Sequence, residues 1–101
     1  MALKRYSVVW TDEAIRNKNN IAEYLIENWS ERELRNFYRE LDRRILLISH
    51  KPELYQLVEG TDFTRRSVLN KHTIIFYEFR NEVVEILYLF NTRRDPASLD
   101  L

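Results

Sequence analysis

The chain has 101 residues, 45% of them hydrophobic, with 16 Lys and Arg balanced by 16 Asp and Glu, a single glycine and no cysteine. That length favours a single domain over residues 1–101 with one core, and the lack of cysteine excludes disulfides, thiolate metal sites and cysteine nucleophiles. Proteins that grip phosphate backbones are usually clearly basic, so the neutral balance favours a protein target over nucleic acid unless the charge is segregated on one face.

The opening "MALKRYSVVW" turns polar too soon for a secretory leader, and no apolar run approaches the ~20 residues of a membrane span. A soluble, cytoplasmic chain is expected. Tyr6 to Trp10 is rich in β-favouring residues and predicts a first strand. "TDEA" then reads as a helix start, with Thr11 or Asp12 as N-cap and acidic residues in the first turn. Ile15, Ile21, Ala22, Leu25, Ile26 and Trp29 follow at helical spacing. "SERE" from Ser30 is a capping box that opens a second helix, with Leu34, Phe37, Tyr38, Leu41, Ile45 and Ile48 as its apolar stripe. The opposite face carries Arg35, Arg39, Glu40, Asp42 and Arg43. One helix ends where the next begins, which predicts a tight helical hairpin. Lys51-Pro52 closes the second helix, because Pro52 cannot continue it and disfavours helix at Lys51.

A loop containing Gly60 follows, and then the period changes to two. Phe63 to Leu69, Thr73 to Phe79 and Val83 to Phe90 are candidate strands. Short turns at Asn70-Lys71 and at Arg80-Asn81-Glu82 each contain an asparagine that tolerates positive φ, and they join the strands into an antiparallel meander. The order is β-α-α-β-β-β, an α+β fold in which the helical hairpin covers one face of a small antiparallel sheet. Alternation puts Val84, Ile86, Tyr88 and Phe90 on one face of the last strand, and Val83, Leu87 and Leu89 on the other. Both faces are apolar, as expected of a central strand or of a surface that a partner covers. The aromatic set Phe76, Tyr77, Phe79, Tyr88 and Phe90 is expected in the core, as are Trp10 and Trp29 beneath the hairpin.

"VVWTDEA", "IAEYLIENWS", "RRSVLNKHTIIFYEF" and "VVEILYLFNTRRDP", in that order, resemble the RelE/ParE superfamily of bacterial toxins. These are the toxin halves of type II toxin–antitoxin modules, often called plasmid stabilisation proteins. The resemblance spans nearly the whole chain, and the family's β-α-α-β-β-β topology agrees with the independent reading of periodicity. It implies one of two activities. RelE-like members cleave mRNA on the ribosome, whereas the characterised ParE-like members poison DNA gyrase and lack RNase activity.

RNA cleavage through the 2′-OH needs a proton acceptor, a leaving-group donor and cations for the developing phosphorane charge. By resemblance, Arg65 or Arg66 takes the cationic place on the second strand and Arg93 the one after the last strand. Ile74 stands where a third-strand cation is expected, and no Tyr or His follows Arg94. An RNase would therefore have to use Arg65, Arg66, Lys71, His72 and Arg93, with His72 as the acid–base group. The blander roles are a solvated turn histidine for His72 and a macrodipole contact at a helix end for His50. No Gly-rich phosphate loop, metal cluster or nucleophile triad is legible, so neither metal nor cofactor is expected.

The favoured reading is a ParE-like gyrase inhibitor that acts by protein–protein contact and is not an enzyme. The alternative is a ribosome-dependent mRNA endonuclease, and a third is a degenerate toxin that binds only its antitoxin. The resemblance also implies a cognate antitoxin whose acidic segments meet Arg65, Arg66, Arg93 and Arg94, and it puts DNA in contact with the antitoxin, not with this chain.

Overall fold

The computed structural model describes residues 4–92. Arg93, Arg94 and the Asp95-Pro96 turn lie outside the described residues. The observed order is β1 (Ser7–Trp10), α1 (Asp12–Asn28), α2 (Glu31–His50), β2 (Thr64–Asn70), β3 (Thr73–Arg80) and β4 (Val83–Asn91). The sheet order is β1-β4-β3-β2. The meander β2-β3-β4 is antiparallel, as the short turns require. β1 adds to β4 in parallel, so the sheet is mixed. A parallel pair needs a long crossover, and here the helical hairpin lies within it.

The helix boundaries follow local chemistry. Thr11, not Asp12, is the N-cap of α1, its side chain accepting from the Ala14 amide. Ser30 caps α2 by accepting from the Glu33 amide at 3.2 Å. α2 ends at His50 with Lys51 as its C-cap, immediately before Pro52, and His50 also bonds the Lys4 carbonyl through Nδ1 at 2.9 Å.

The turns differ in mechanism. Asn81 and Glu82 both take positive φ, at 56° and 60°, the backbone of a two-residue hairpin turn that matches strand twist. The Glu82 carboxylate meets the Lys4 amine at 2.6 Å, and this bond pulls the carboxyl below its ordinary range and the amine above it. Asn70 does not use positive φ. Its side-chain oxygen accepts from the His72 amide at 2.9 Å and closes the β2–β3 turn as an Asx-type cap.

α1 packs against β4 and α2 against β2. Ala14, Ile21 and Leu25 of α1 and Phe37, Leu41 and Ile48 of α2 meet Ile75, Tyr77, Val84, Ile86 and Leu89 of the sheet. Tyr77 is fully buried and donates its hydroxyl to the Pro52 carbonyl at 2.7 Å. That bond ties the end of the helical hairpin to the middle of the sheet, and burial pushes the Tyr77 phenol up to about 12.

Several residues of the apolar helical patterns face solvent. Ile15, Ile26 and Tyr38 are more than a third exposed, and Trp29 is 56% exposed. Trp29 is not a core anchor, because it sits at the C-cap of α1 where the chain reverses, away from the sheet.

Candidate functional site

The face of the sheet away from the helices depends on one irregularity in β4. Thr73 to Phe76 pair with Asn91 to Tyr88 in steady register, but Tyr77 then pairs with Ile86. Ile86 and Leu87 together stand opposite Tyr77, which is a β-bulge. One extra residue inverts the alternation beyond it. Val84, Ile86 and Leu89 all face the core at 4% exposure or less, while Tyr88 faces out at 40%. The face expected from simple alternation, with Tyr88 and Phe90 beside Val84 and Ile86, is therefore corrected: the two aromatic residues lie on the outer face.

The start of α1 clamps this bulge. β1 ends at Trp10, so it leaves the edge of β4 without a strand from Leu87 onward. There the Thr11 hydroxyl donates to the Leu87 carbonyl at 2.6 Å, and the Asn17 side-chain oxygen accepts from the Leu89 amide at 2.9 Å. Asn17 is held in turn by Glu13, to which its amide group donates at 2.7 Å. Glu13 also binds Arg16 at 2.8 Å, and these two bonds, Arg16 first, hold its carboxyl below the ordinary range.

The outer face is consequently apolar and aromatic toward the β2–β3 turn, while a polar row of Thr64, Glu78 and Glu85 lies at its other end. Val68, Ile74 and Phe90 form one cross-strand row, and Arg66, Phe76 and Tyr88 form the next. The rings of Phe76 and Tyr88 stack with centroids 4.6 Å apart and planes 18° from parallel. Of the aromatic residues expected in the core, only Tyr77 is fully buried, while Phe79 packs at the core margin against Tyr6. The bulge is the reason for the difference at Tyr88, whereas Phe76 faces out by simple alternation with the buried Ile75 and Tyr77. Val68 is 53% exposed and Arg66 is exposed beside the stack. Ile74 stands in this face where the RNase pattern expects a cation.

The structure separates the candidate arginines. Arg65 points to the helix side of the sheet, with 17% side-chain exposure. It donates to the Tyr55 carbonyl at 2.7 Å and the Glu53 carbonyl at 3.3 Å, with the Glu53 carboxylate at 4.0 Å. The Glu78 carboxylate, next along β3 on the outer face from Phe76, is engaged by Arg80 at 3.2 Å. Arg65 thus staples the loop to β2, while Arg66 is presented on the opposite face.

Lys71 and His72 lie at the β2–β3 turn, away from Arg66 along the strand. The His72 carbonyl accepts from the Thr92 amide at 2.9 Å, and its Nδ1 lies 3.3 Å from the Thr92 hydroxyl. The turn is therefore fastened to the end of β4, immediately before Arg93. His72 and Lys71 share a small cavity of about 180 Å³ with Tyr24, Glu33 and Glu40. Sequence reading missed Glu33 and Glu40 as neighbours of His72, since one was absorbed by the capping box and the other by a solvated helix face. Among the described residues, no group of His, Asp and Glu side chains is arranged to hold a metal ion, and no helix is long and apolar enough to cross a membrane.

A helical hairpin on one face of a four-stranded mixed sheet is a fold shared with solved structures of toxin–antitoxin systems. The toxin of the chromosomal ParDE system of P. aeruginosa superposes with a TM-score of 0.72 at 10% identity, covering 87% of this chain and 97% of that one. The RelBE2 complex of Mycobacterium tuberculosis matches with a TM-score of 0.60 at 15% identity, over 86% of this chain and 98% of that one. The E. coli DinJ–YafQ complex matches at 0.61 with 7% identity, over 88% and 94%. Among curated protein sequences none matches. The sequence profile of the ParE toxin of the type II toxin–antitoxin system parDE matches residues 8–96, and the chain belongs to that family. It is the toxin of a type II toxin–antitoxin system.

Proposed function

We propose that this toxin follows the ParE branch in mechanism, inhibiting DNA gyrase by protein–protein contact and being neutralised by a cognate antitoxin. The observation that carries this reading is the composition of the outer sheet face. A ribonuclease has to gather cations around the scissile phosphate. Here that face offers Val68, Ile74, Phe90 and the Phe76–Tyr88 stack, with Arg66 at the margin and the row Thr64, Glu78 and Glu85 beyond, whose carboxylates oppose a phosphate. Stacked aromatic residues bordered by an arginine are typical of protein-binding hot spots, and an exposed apolar face of this kind marks an interaction surface.

The matched P. aeruginosa structure is of a ParDE system, and those from E. coli and M. tuberculosis are toxin–antitoxin complexes, which supports an antitoxin partner for this chain. The antitoxin segment expected on the outer face is apolar, with an acidic residue near Arg66. Arg93 and Arg94 remain candidates for the same acidic rim. Arg65, engaged behind the sheet, acts on binding only through the loop it holds.

The fastening of Lys71 and His72 to Thr92 favours a second reading, because it brings a histidine and a lysine to the end of β4 where an RNase would draw on Arg93. Inducing the toxin alone in cells separates the two. Gyrase poisoning produces double-strand breaks and an SOS response while bulk mRNA is still intact. Rapid codon-phased mRNA cleavage would overturn the first reading in favour of the second. Folded, soluble protein with no growth arrest would leave only antitoxin binding.

A further inference from the structure

The neutral composition conceals a segregation of charge on α2. Arg32, Arg35, Arg39 and Arg43 are all exposed. Their spacing of three, four and four residues places them one above another on a single helical face. At 1.5 Å per residue the line runs about 16 Å. It lies opposite the buried face, since Leu41 is two residues, about 200° of helical turn, from both Arg39 and Arg43. The acids of the helix, Glu31, Glu33, Glu40 and Asp42, fall to either side of the line, so they cancel its charge in the total without interrupting it.

The other arginines of the helices and sheet are mostly committed. Arg16 binds Glu13, Arg44 donates to Ser67 and Val68, Arg65 holds the loop, and Arg80 binds Glu78. Within the line only Arg35 has an acidic partner, Glu31 at 3.7 Å. Arg32, Arg39 and Arg43 have no hydrogen-bond or ion-pair partner among the described residues.

We propose that this arginine line on α2 docks the phosphate backbone of duplex DNA, without reading its sequence. Successive guanidiniums spring from Cβ atoms about 5–6 Å apart on a straight rod, which suits successive phosphates along a strand. A protein partner would call for an apolar or aromatic centre, and apolar side chains join the line only at its end, at Leu46 and Leu47 beyond Arg43. A single-stranded nucleic acid would call for a stacking platform, and no aromatic side chain lies in the line. The inference revises the expectation that DNA is met only through an antitoxin, and it does not rest on the gyrase reading.

The test is fluorescence anisotropy of the purified full chain with a labelled mixed-sequence duplex of about 20 base pairs, titrated between about 50 and 200 mM salt. Contact with three phosphates gives a slope of log K against log salt of about −2 to −3. Replacing Arg32, Arg39 and Arg43 together by Gln removes most of that slope and weakens binding at low salt at least tenfold, about one order of magnitude. Arg39→Gln alone reduces the slope by about one. Arg16→Gln on α1 leaves both quantities unchanged. Circular dichroism confirms that the variants stay helical, as expected from the similar helix propensities of Arg and Gln. A salt slope retained in the folded triple variant overturns the proposal, as does absence of duplex binding. Tighter binding of single-stranded RNA or of polyglutamate than of duplex also overturns it. The assay contains neither gyrase nor antitoxin, so its failure leaves the toxin mechanism unaffected.

Discussion

Replacing Asn17 by Ala removes the acceptor that the Leu89 amide uses at the clamped edge of β4. Leu89 is only 4% exposed, so its amide has little access to water. Leaving such a donor unpaired costs about 1–3 kcal/mol. The higher helix propensity of alanine offsets up to about 0.6 kcal/mol of this. The net loss is then about 1–2 kcal/mol, which in a domain of this size lowers Tm by about 5–15 °C. Asn20→Ala on the same helix serves as the control, since it makes the same propensity change without touching the Leu89 amide. It should be neutral or stabilise by a few tenths, about 0.5 kcal/mol at most. Urea and thermal unfolding followed by far-UV circular dichroism measure both variants, and the difference between them isolates the clamp. If Asn17→Ala and Asn20→Ala unfold within about 0.5 kcal/mol of one another, the Asn17 bond does not stabilise the bulge and the account of the outer face loses its support.

Tyr77→Phe orphans the Pro52 carbonyl and should cost about 1 kcal/mol at neutral pH. The Tyr77 proton is held more tightly in the fold, at about 12, than in the unfolded chain near 10. The corresponding stability is full below about pH 10 and is lost as the pH rises toward 12, up to about 2–3 kcal/mol. Urea midpoints across that range should fall for the native chain and stay nearly flat for the phenylalanine variant. Parallel slopes would show that another group governs alkaline unfolding. Arg65→Ala should destabilise by about 1–3 kcal/mol because it frees two loop carbonyls, whereas Arg66→Ala should stay within about 0.5 kcal/mol. In pull-down with the antitoxin the order should reverse, with Arg66→Ala the weaker binder. Phe76→Ala combined with Tyr88→Ala should weaken antitoxin binding by about 2 kcal/mol or more, measured by calorimetry. Unchanged affinity in the folded double variant would remove the outer face from the interface.

The gross architecture was legible because it is set by local chemistry. Thr11 and Ser30 cap their helices through side-chain oxygens three residues from the amides they serve, and Pro52 stops α2 by its own ring. The strands after Gly60 announced themselves by period, and the short turns forced antiparallel pairing. The placement of Arg65 and Arg66 on opposite faces follows from the same period of two. The helix stripes were readable only in part, because periodicity shows which residues share a face and not how far the covering sheet extends. Ile15, Ile26 and Trp29 fit the pattern and still lie at or beyond its margin.

The bulge at Leu87 was not legible, and with it the outward turn of Tyr88 and Phe90. No residue in "VVEILYLFN" signals an extra unpaired position. Its cause lies at Thr11 and Asn17, more than seventy positions earlier in the chain, whose side chains take the Leu87 carbonyl and Leu89 amide where β1 runs out. Helical spacing already put Arg35, Arg39 and Arg43 on the face away from the core, but which arginines of α2 lack acidic partners was hidden, because ion pairing depends on which side chains the fold brings within reach. Sequence by itself determined the elements, their order and the toxin family, because caps, breakers and periods act within a few residues. Tertiary structure alone decided which side chains the molecule offers to its partners, because that depends on register and edge contacts between segments far apart in the chain.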